Sequence, residues 1–152
     1  MFLQYIMNLN HSLRWMLIGS IIIGIYFNGM NILAYRFDDL YFSSKTLIYS
    51  ALLMASNMCI LEVLMFCDHT ETLNIKLLLI FSILSIMLVW MLRTQFLVGD
   101  NDWLKRMISH HSTALTTSHK ILNRTNNSQI KELANDIIET QEREIKLMKS
   151  LL

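Results

Sequence analysis

Three of the five histidines in this 152-residue sequence fall within ten residues, at His110, His111 and His119, and Met107 lies just before them. Helical residues three and four apart share one face, so the Met107 thioether can meet the first two imidazoles. Thioether sulfur selects Cu(I), and imidazole accepts copper in either oxidation state, whereas zinc sites normally add cysteine or a third convergent histidine. The spacing therefore predicts a copper site, which His119, two turns further on, joins through a partner helix or a second metal ion.

A second set of candidate residues lies near the end of the sequence, at Gln141, Glu144 and Met148. Met148 is predicted to supply a second thioether. Gln141 occupies a position that the helical pattern predicts to be apolar, and a buried amide needs a hydrogen-bond partner such as an imidazole across the hairpin. The alternative is that these histidines and Gln141 are structural polar residues and that no metal binds.

Two amphipathic helices are predicted to position these side chains over residues 99–152. We expect Asp100 or Asn101 to cap the first helix and residues 123–128 to form the turn. The pattern predicts apolar faces at Leu104, Ile108, His111, Leu115, Ser118 and Leu122, and at Ile130, Leu133, Ala134, Ile137, Ile138, Ile145, Met148 and Leu152. A two-helix hairpin alone is marginally stable, so it is expected to pack against the membrane domain or a second copy in a homo-oligomer.

The first 98 residues are predicted to form a membrane domain. The chain is 53% hydrophobic, and only ten of its 25 charged side chains lie in this part. Apolar runs predict transmembrane helices at about 15–34, 46–66 and 75–98, each of a length suited to a hydrocarbon core roughly 30 Å thick. The lipid bilayer is thus the first expected partner.

The second predicted span carries Met54, Met58, Glu62 and Met65. One hypothesis is a membrane path in which thioethers pass Cu(I), or in which Glu62 conducts protons or ions. The alternative, which we favour, is that the methionines provide adaptable packing and that the carboxyl group promotes helix association.

Two function classes are excluded by the pattern. The formal net charge is +1 and no basic stripe is interleaved with aromatics, so no nucleic acid is expected as a partner. Glu-x-x-His pairs, HExxH, glycine-rich phosphate loops and a nucleophile elbow are all absent from the sequence, so we predict that the protein is not an enzyme.

The segments Met107-Ile-Ser-His-His111 and Gln141-Glu-Arg-Glu-Ile145, followed by Met148, resemble the family called domain of unknown function 305. A membrane-anchored subgroup with three N-terminal spans is also similar through residues 35–65, although this chain has Asp39 and Thr117 where relatives often carry His and Met. The resemblance implies an all-α protein with three transmembrane helices followed by a ferritin-like helical hairpin. It also implies copper or silver binding through Met and His.

The orientation of the hairpin receives two opposed indications. Lys and Arg near the predicted spans are more numerous on the hairpin side, which favours the cytoplasm. The resemblance implies an extracytoplasmic hairpin, and we adopt that orientation. The leading hypothesis is a multi-pass membrane protein that binds copper without catalysis; the alternatives are an oligomerisation protein with a structural His pair and an ion pathway through Glu62.

Overall fold

The structure is a computed structural model that describes residues 11–70 and 74–152, and these form α-helices and no strand. Five long helices are joined by one single-turn α-helix and one 3₁₀ turn. They are α1 (His11–Tyr26), α2 (Gly29–Ile32), the 3₁₀ turn Phe37–Asp39, α3 (Lys45–Thr70), α4 (Ile75–Thr94), α5 (Asp100–Leu122) and α6 (Ser128–Ser150). The all-α prediction is confirmed.

The chain divides into two compact units that interleave along the sequence. The first contains the described residues up to Tyr26 together with Ile48–Phe96. The second contains Phe27–Leu47 and Leu97–Leu152, so the hairpin is joined by a segment that precedes α3. The sequence pattern had placed residues 27–47 in the membrane domain.

Two helices in the described residues are long and apolar enough to cross a membrane, where three spans were predicted. They are Lys45–Met65 within α3 and Ile75–Thr94, the whole of α4. The predicted span 15–34 is wrong as one helix because α1 ends at Tyr26. Asn28 is extended there, and its side chain accepts a hydrogen bond from the Asn31 N–H to begin α2.

The predicted extension of the third span to residue 98 is also wrong. Gln95 adopts a left-handed conformation (φ 51°, ψ 42°) that ends α4, and its N–H donates to the Met91 carbonyl. Leu97 is left-handed as well, with φ 56°. Non-glycine residues rarely take this conformation.

Small residues bring α1 and α3 into close contact in the first unit. Ala51, Ala55 and Cys59 recur every four residues along α3 and are buried. A Cβ placed on Gly24 of α1 would lie 2.9 Å from the Cα of Ala51, so only glycine fits at this crossing. Such small-residue contacts are the usual basis of close helix packing in membranes.

Hydroxyl groups link α3 to α4 within the same unit. Ser56 Oγ donates to the carbonyl of Phe81 (2.9 Å), and Ser85 Oγ lies 2.9 Å from both Ser56 Oγ and Asn57 Oδ1. The polar groups of these side chains thus have hydrogen-bond partners within an otherwise apolar helix pair.

The second unit is built on the predicted hairpin. Five side chains of α5 and α6 form its core: Leu104, Ile108, Leu115, Ile145 and Met148. The predicted caps at Asp100 and Asn101 are wrong, because Gly99 is the N-cap and no side chain bonds there. Asn127 begins α6, and its Oδ1 accepts from the backbone of Gln129 at 2.9 Å.

The apolar stripe predicted on α6 is wider than the face that packs on α5. Ala134, Ile145 and Met148 are buried, whereas Ile130 and Leu133 are 41% and 58% exposed. The stripe therefore contains two faces, of which one lies outside the hairpin core.

Candidate metal site

Methionines from both hairpin helices contribute to the core of the second unit. Met148 of α6 is 6% exposed and belongs to the buried cluster, and Met107 of α5 is partly buried against the same cluster. Two of the predicted ligands thus border the same buried core.

His111 lies one turn after Met107, and its side chain is 13% exposed. Its Nδ1 is buried and 3.1 Å from Oε2 of Glu144, but the two groups are not aligned as a hydrogen bond. Burial lowers the pKa of His111, helped by the nearby His110, while the charge of Glu144 acts in the opposite direction. The net shift favours the neutral imidazole, the form that binds metals.

The other two predicted histidines lie in different surroundings. His110 is exposed, with its ring edge-on to His111 at a centroid distance of 5.9 Å. His119 stacks on Tyr35, with ring centroids 4.8 Å apart, and its Nε2 is buried without a hydrogen bond. Eight helical residues, or about 12 Å of rise, separate His119 from His111, so His119 is not part of the Met107 cluster.

The residue of α6 that approaches an imidazole is Glu144, whereas Gln141 is half-buried nearby on the same helix. Within the described residues no three His, Cys, Asp or Glu side chains converge as a metal-binding group. A metal site at this position would therefore depend on thioether sulfur.

A structural feature that the sequence patterns missed is the segment 35–45, here called the docking segment. It contains Asp39, which is fully buried and lies 2.6 Å from the Nζ of Lys149. Ser112 Oγ donates to Asp39 Oδ2 (2.6 Å), and Ser109 Oγ donates to the Asp39 carbonyl (2.7 Å). A buried carboxylate is thus compensated by one cation and a hydroxyl.

The same lysine also binds the neighbouring Asp38, at 2.6 Å. Burial alone would lower the pKa of Lys149, but hydrogen bonds and charges from Asp38 and Asp39 outweigh it and raise that pKa. The hydrogen bond from Lys149 in turn lowers the pKa of Asp38. Lys149 therefore carries its charge throughout the physiological range.

Further contacts fix both ends of the docking segment to the hairpin. The Tyr35 N–H donates to Ser112 Oγ (2.8 Å), and Tyr41 packs against the apolar core. At the other end Lys45 Nζ lies 2.8 Å from Asp102 Oδ2, and this hydrogen bond lowers the pKa of Asp102. The hairpin is consequently closed by a third layer.

The signal for this layer is a polar face on α5. Asp102, Lys105, Ser109 and Ser112 follow one another at steps of three and four residues, so they share one side of the helix. Buried serines at such spacing indicate a hydrogen-bonded partner rather than solvent. The spacing does not identify that partner.

The chain is similar to known proteins both in its hairpin and over most of its length. Residues 92–152 match the model of the domain of unknown function DUF305. An uncharacterised protein of Acanthamoeba polyphaga mimivirus is 35% identical over 143 residues, which cover 94% of this chain and 92% of the relative. The chain belongs to the DUF305 family. No solved structure matches, so the ferritin-like fold implied by the resemblance stays a prediction.

The DUF305 match covers α5, α6 and the junction before them, but not the docking segment. The mimivirus relative is similar over nearly the whole chain and therefore over both units. DUF305 membership thus accounts for the hairpin, while the longer similarity includes the helices of the first unit.

The residues of the predicted membrane path do not form one buried row. Met54 approaches Gly24, since its Cε would lie 3.0 Å from a Cβ placed there. Met58 and Met65 are 40% and 61% exposed, and Glu62 is half-buried. Continuous transfer along these thioethers gains no support from this arrangement.

Proposed function

We propose that this protein is a membrane-anchored copper-binding protein that holds Cu(I) in its hairpin and performs no catalysis. The observation that carries the proposal is that Met148 belongs to the buried core cluster, while Met107 packs against the same cluster one helical turn before the largely buried imidazole of His111.

The donor set suits Cu(I). Thioether sulfur is a soft ligand that binds Cu(I) and competes poorly for zinc, calcium or magnesium. The lowered pKa of His111 keeps its ring neutral, so a nitrogen lone pair is present at neutral pH without loss of a proton. Met107, His111 and Met148 would hold the ion, with the adjacent His110 as a further donor from the solvent side.

Glu144 is assigned a positioning role. Its carboxylate lies 3.1 Å from His111 Nδ1. A carboxylate that accepts a hydrogen bond from one ring N–H leaves the other nitrogen as the metal ligand and increases its basicity. Glu144 would thus select the Nε2-ligating tautomer of His111 when the pair aligns.

Membrane anchoring is supported by the way the second unit is assembled from two parts of the chain. The docking segment ends where α3 begins, and α5 follows α4. Ion pairs from Asp39 to Lys149 and from Lys45 to Asp102 hold these parts together. Two spans between them would return the chain to the same side of a bilayer, as α3 and α4 are long enough to do.

The closeness of Gly24 to Ala51 supports α1 as a third membrane helix beside α3, in keeping with the membrane-anchored subgroup that the sequence resembles. We place the hairpin outside the cytoplasm. A lysine-directed reagent that cannot cross membranes, applied to intact cells, would label the hairpin in that orientation; protection until the cells are lysed would place it inside.

The copper proposal is tested by titrating the purified full chain in detergent with Cu(I) against a chromophoric chelator. The double variant Met107→Leu/Met148→Leu conserves core volume and removes both thioethers. We expect it to bind Cu(I) at least about tenfold more weakly, and Glu144→Gln to lose about tenfold to a hundredfold.

Met87→Leu is the matched control, because Met87 is an exposed methionine of α4. It is expected to bind as the unaltered protein does. Copper binding is rejected as the function if the unaltered chain takes up no Cu(I), or if the double variant and Met87→Leu bind equally well.

A further inference from the structure

The exposed face of α6 has the spacing of a helix-pairing seam. Three large apolar residues on it, Ile130, Leu133 and Leu147, are 41–59% exposed, and the C-cap residue Leu151 is 62% exposed. With the intervening positions 137, 140 and 144 they continue steps of three and four residues along the whole helix. This is the a/d pattern by which one helix packs along another.

The seam lies beside the face that packs on α5, and the two faces meet at Glu144, whose Oε2 is 3.1 Å from Nδ1 of His111 on α5. The buried residues Ala134, Ile145 and Met148 each lie about 100° around the helix from a seam neighbour. A helix with two adjacent apolar faces is expected to contact two helices, and the hairpin supplies only one of them.

The charges beside the seam indicate the direction of the second helix. Glu132, Asp136 and Glu139 flank the first half of α6, and Arg143 and Lys146 flank the second half. Two copies of α6 in parallel would place like charges together. Two antiparallel copies would place Asp136 of each subunit near Arg143 of the other.

We propose that the occupant of this face is α6 of a second copy of the chain, packed antiparallel about a twofold axis near residues 137–140. In this register Ile130 faces Leu147 of the partner subunit. A twofold contact is self-complementary, so each copy presents the same seam and the same charge halves. The polar residues Thr140 and Glu144 interrupt the apolar seam and favour one register.

Charge reversal tests the direction of packing. The full chain in detergent is compared by sedimentation equilibrium as the unaltered protein, as Asp136→Arg, as Arg143→Asp and as the double variant. We expect a dimer that is weakened by each single change, by about tenfold when measured at low salt, and restored by the double change. Parallel packing offers no reason for such a restoration.

The apolar contact is tested separately with Leu147→Lys, which places a charge against Ile130 of the partner subunit and is expected to raise the dimer dissociation constant at least about tenfold. Asn135→Lys is its matched control, since residue 135 is exposed on the opposite side of α6. Circular dichroism verifies that both variants keep their helices.

The proposal is overturned if the unaltered chain is monomeric at tens of micromolar, as it would be if lipid covered this face. It is also overturned if the dimer survives Leu147→Lys or if the double charge reversal fails to restore assembly, because another surface would then hold the dimer. Cu(I) affinity is measured on the same samples, so failure here is distinguishable from failure of the copper site.

Discussion

Replacement of Lys149 by methionine is expected to release the docking segment from the hairpin. The change leaves the fully buried Asp39 carboxylate without its cation. Removing one partner of a buried ion pair typically costs about 3–5 kcal/mol. The Lys149 side chain is 28% exposed and Ser112 still donates to Asp39, so we expect the lower end, about 3 kcal/mol.

Hydrogen exchange measured by mass spectrometry on the full chain in detergent reports this opening. A cost of about 3 kcal/mol corresponds to roughly a hundredfold faster exchange in residues 35–45, because each 1.4 kcal/mol is about a factor of ten. Peptides from the α5 core, which includes the fully buried Ile108 and Leu115, should change far less.

Two further variants separate charge burial from the loss of one contact. Asp38→Asn removes the exposed partner of Lys149 and is expected to cause no measurable change in the exchange rate of residues 35–45. Asp39→Asn/Lys149→Met removes both charges of the buried pair and should recover most of the protection that Lys149→Met loses. Equal exchange in Lys149→Met and Asp38→Asn would refute the reasoning.

Two other outcomes follow from the site and the helix crossing. The folded-state pKa of His111 is lowered, so between that value and about 6.5 the unfolded chain binds more protons than the folded chain. In this window the stability of the second unit and its Cu(I) affinity should both fall as pH falls, which unfolding experiments and Cu(I) titrations at pH 7.5 and 5.5 would show. The variant His111→Gln should lose the part of this pH dependence that comes from His111. Gly24→Ala should destabilise the first unit by about 1–3 kcal/mol in thermal unfolding, whereas Gly19→Ala, which meets nothing within 4 Å, should be neutral or stabilising; equal effects would contradict the crossing.

Periodic patterns predicted the parts of the fold that depend on local sequence. Apolar residues at steps of three and four positions predicted the two hairpin helices, and long runs with few charges predicted α3 and α4. The first apolar run was not one helix, because the side chain of Asn28 competes for the backbone and begins a new turn. Hydropathy alone does not detect such a break.

The candidate site was predicted in part for a similar reason. Met107 and His111 are four residues apart on α5, so spacing was sufficient to place these two on one face of the helix. The Asp39–Lys149 pair joins residues 110 positions apart, and no period in a single sequence encodes that contact. In the sequence, Asp39 was notable only because relatives often carry His at this position. In the structure, Asp39 is the buried partner of Lys149.

The interleaving of the two units has a consequence for biosynthesis. The docking segment leaves the ribosome before α3 and α4, but the helices that bind it are made after them. The Asp39 side chain therefore stays hydrated while α3 and α4 are made, and closure of this long loop carries an entropic cost. Assembly of the second unit is thus a late step, which can begin only after α3 and α4 have been made.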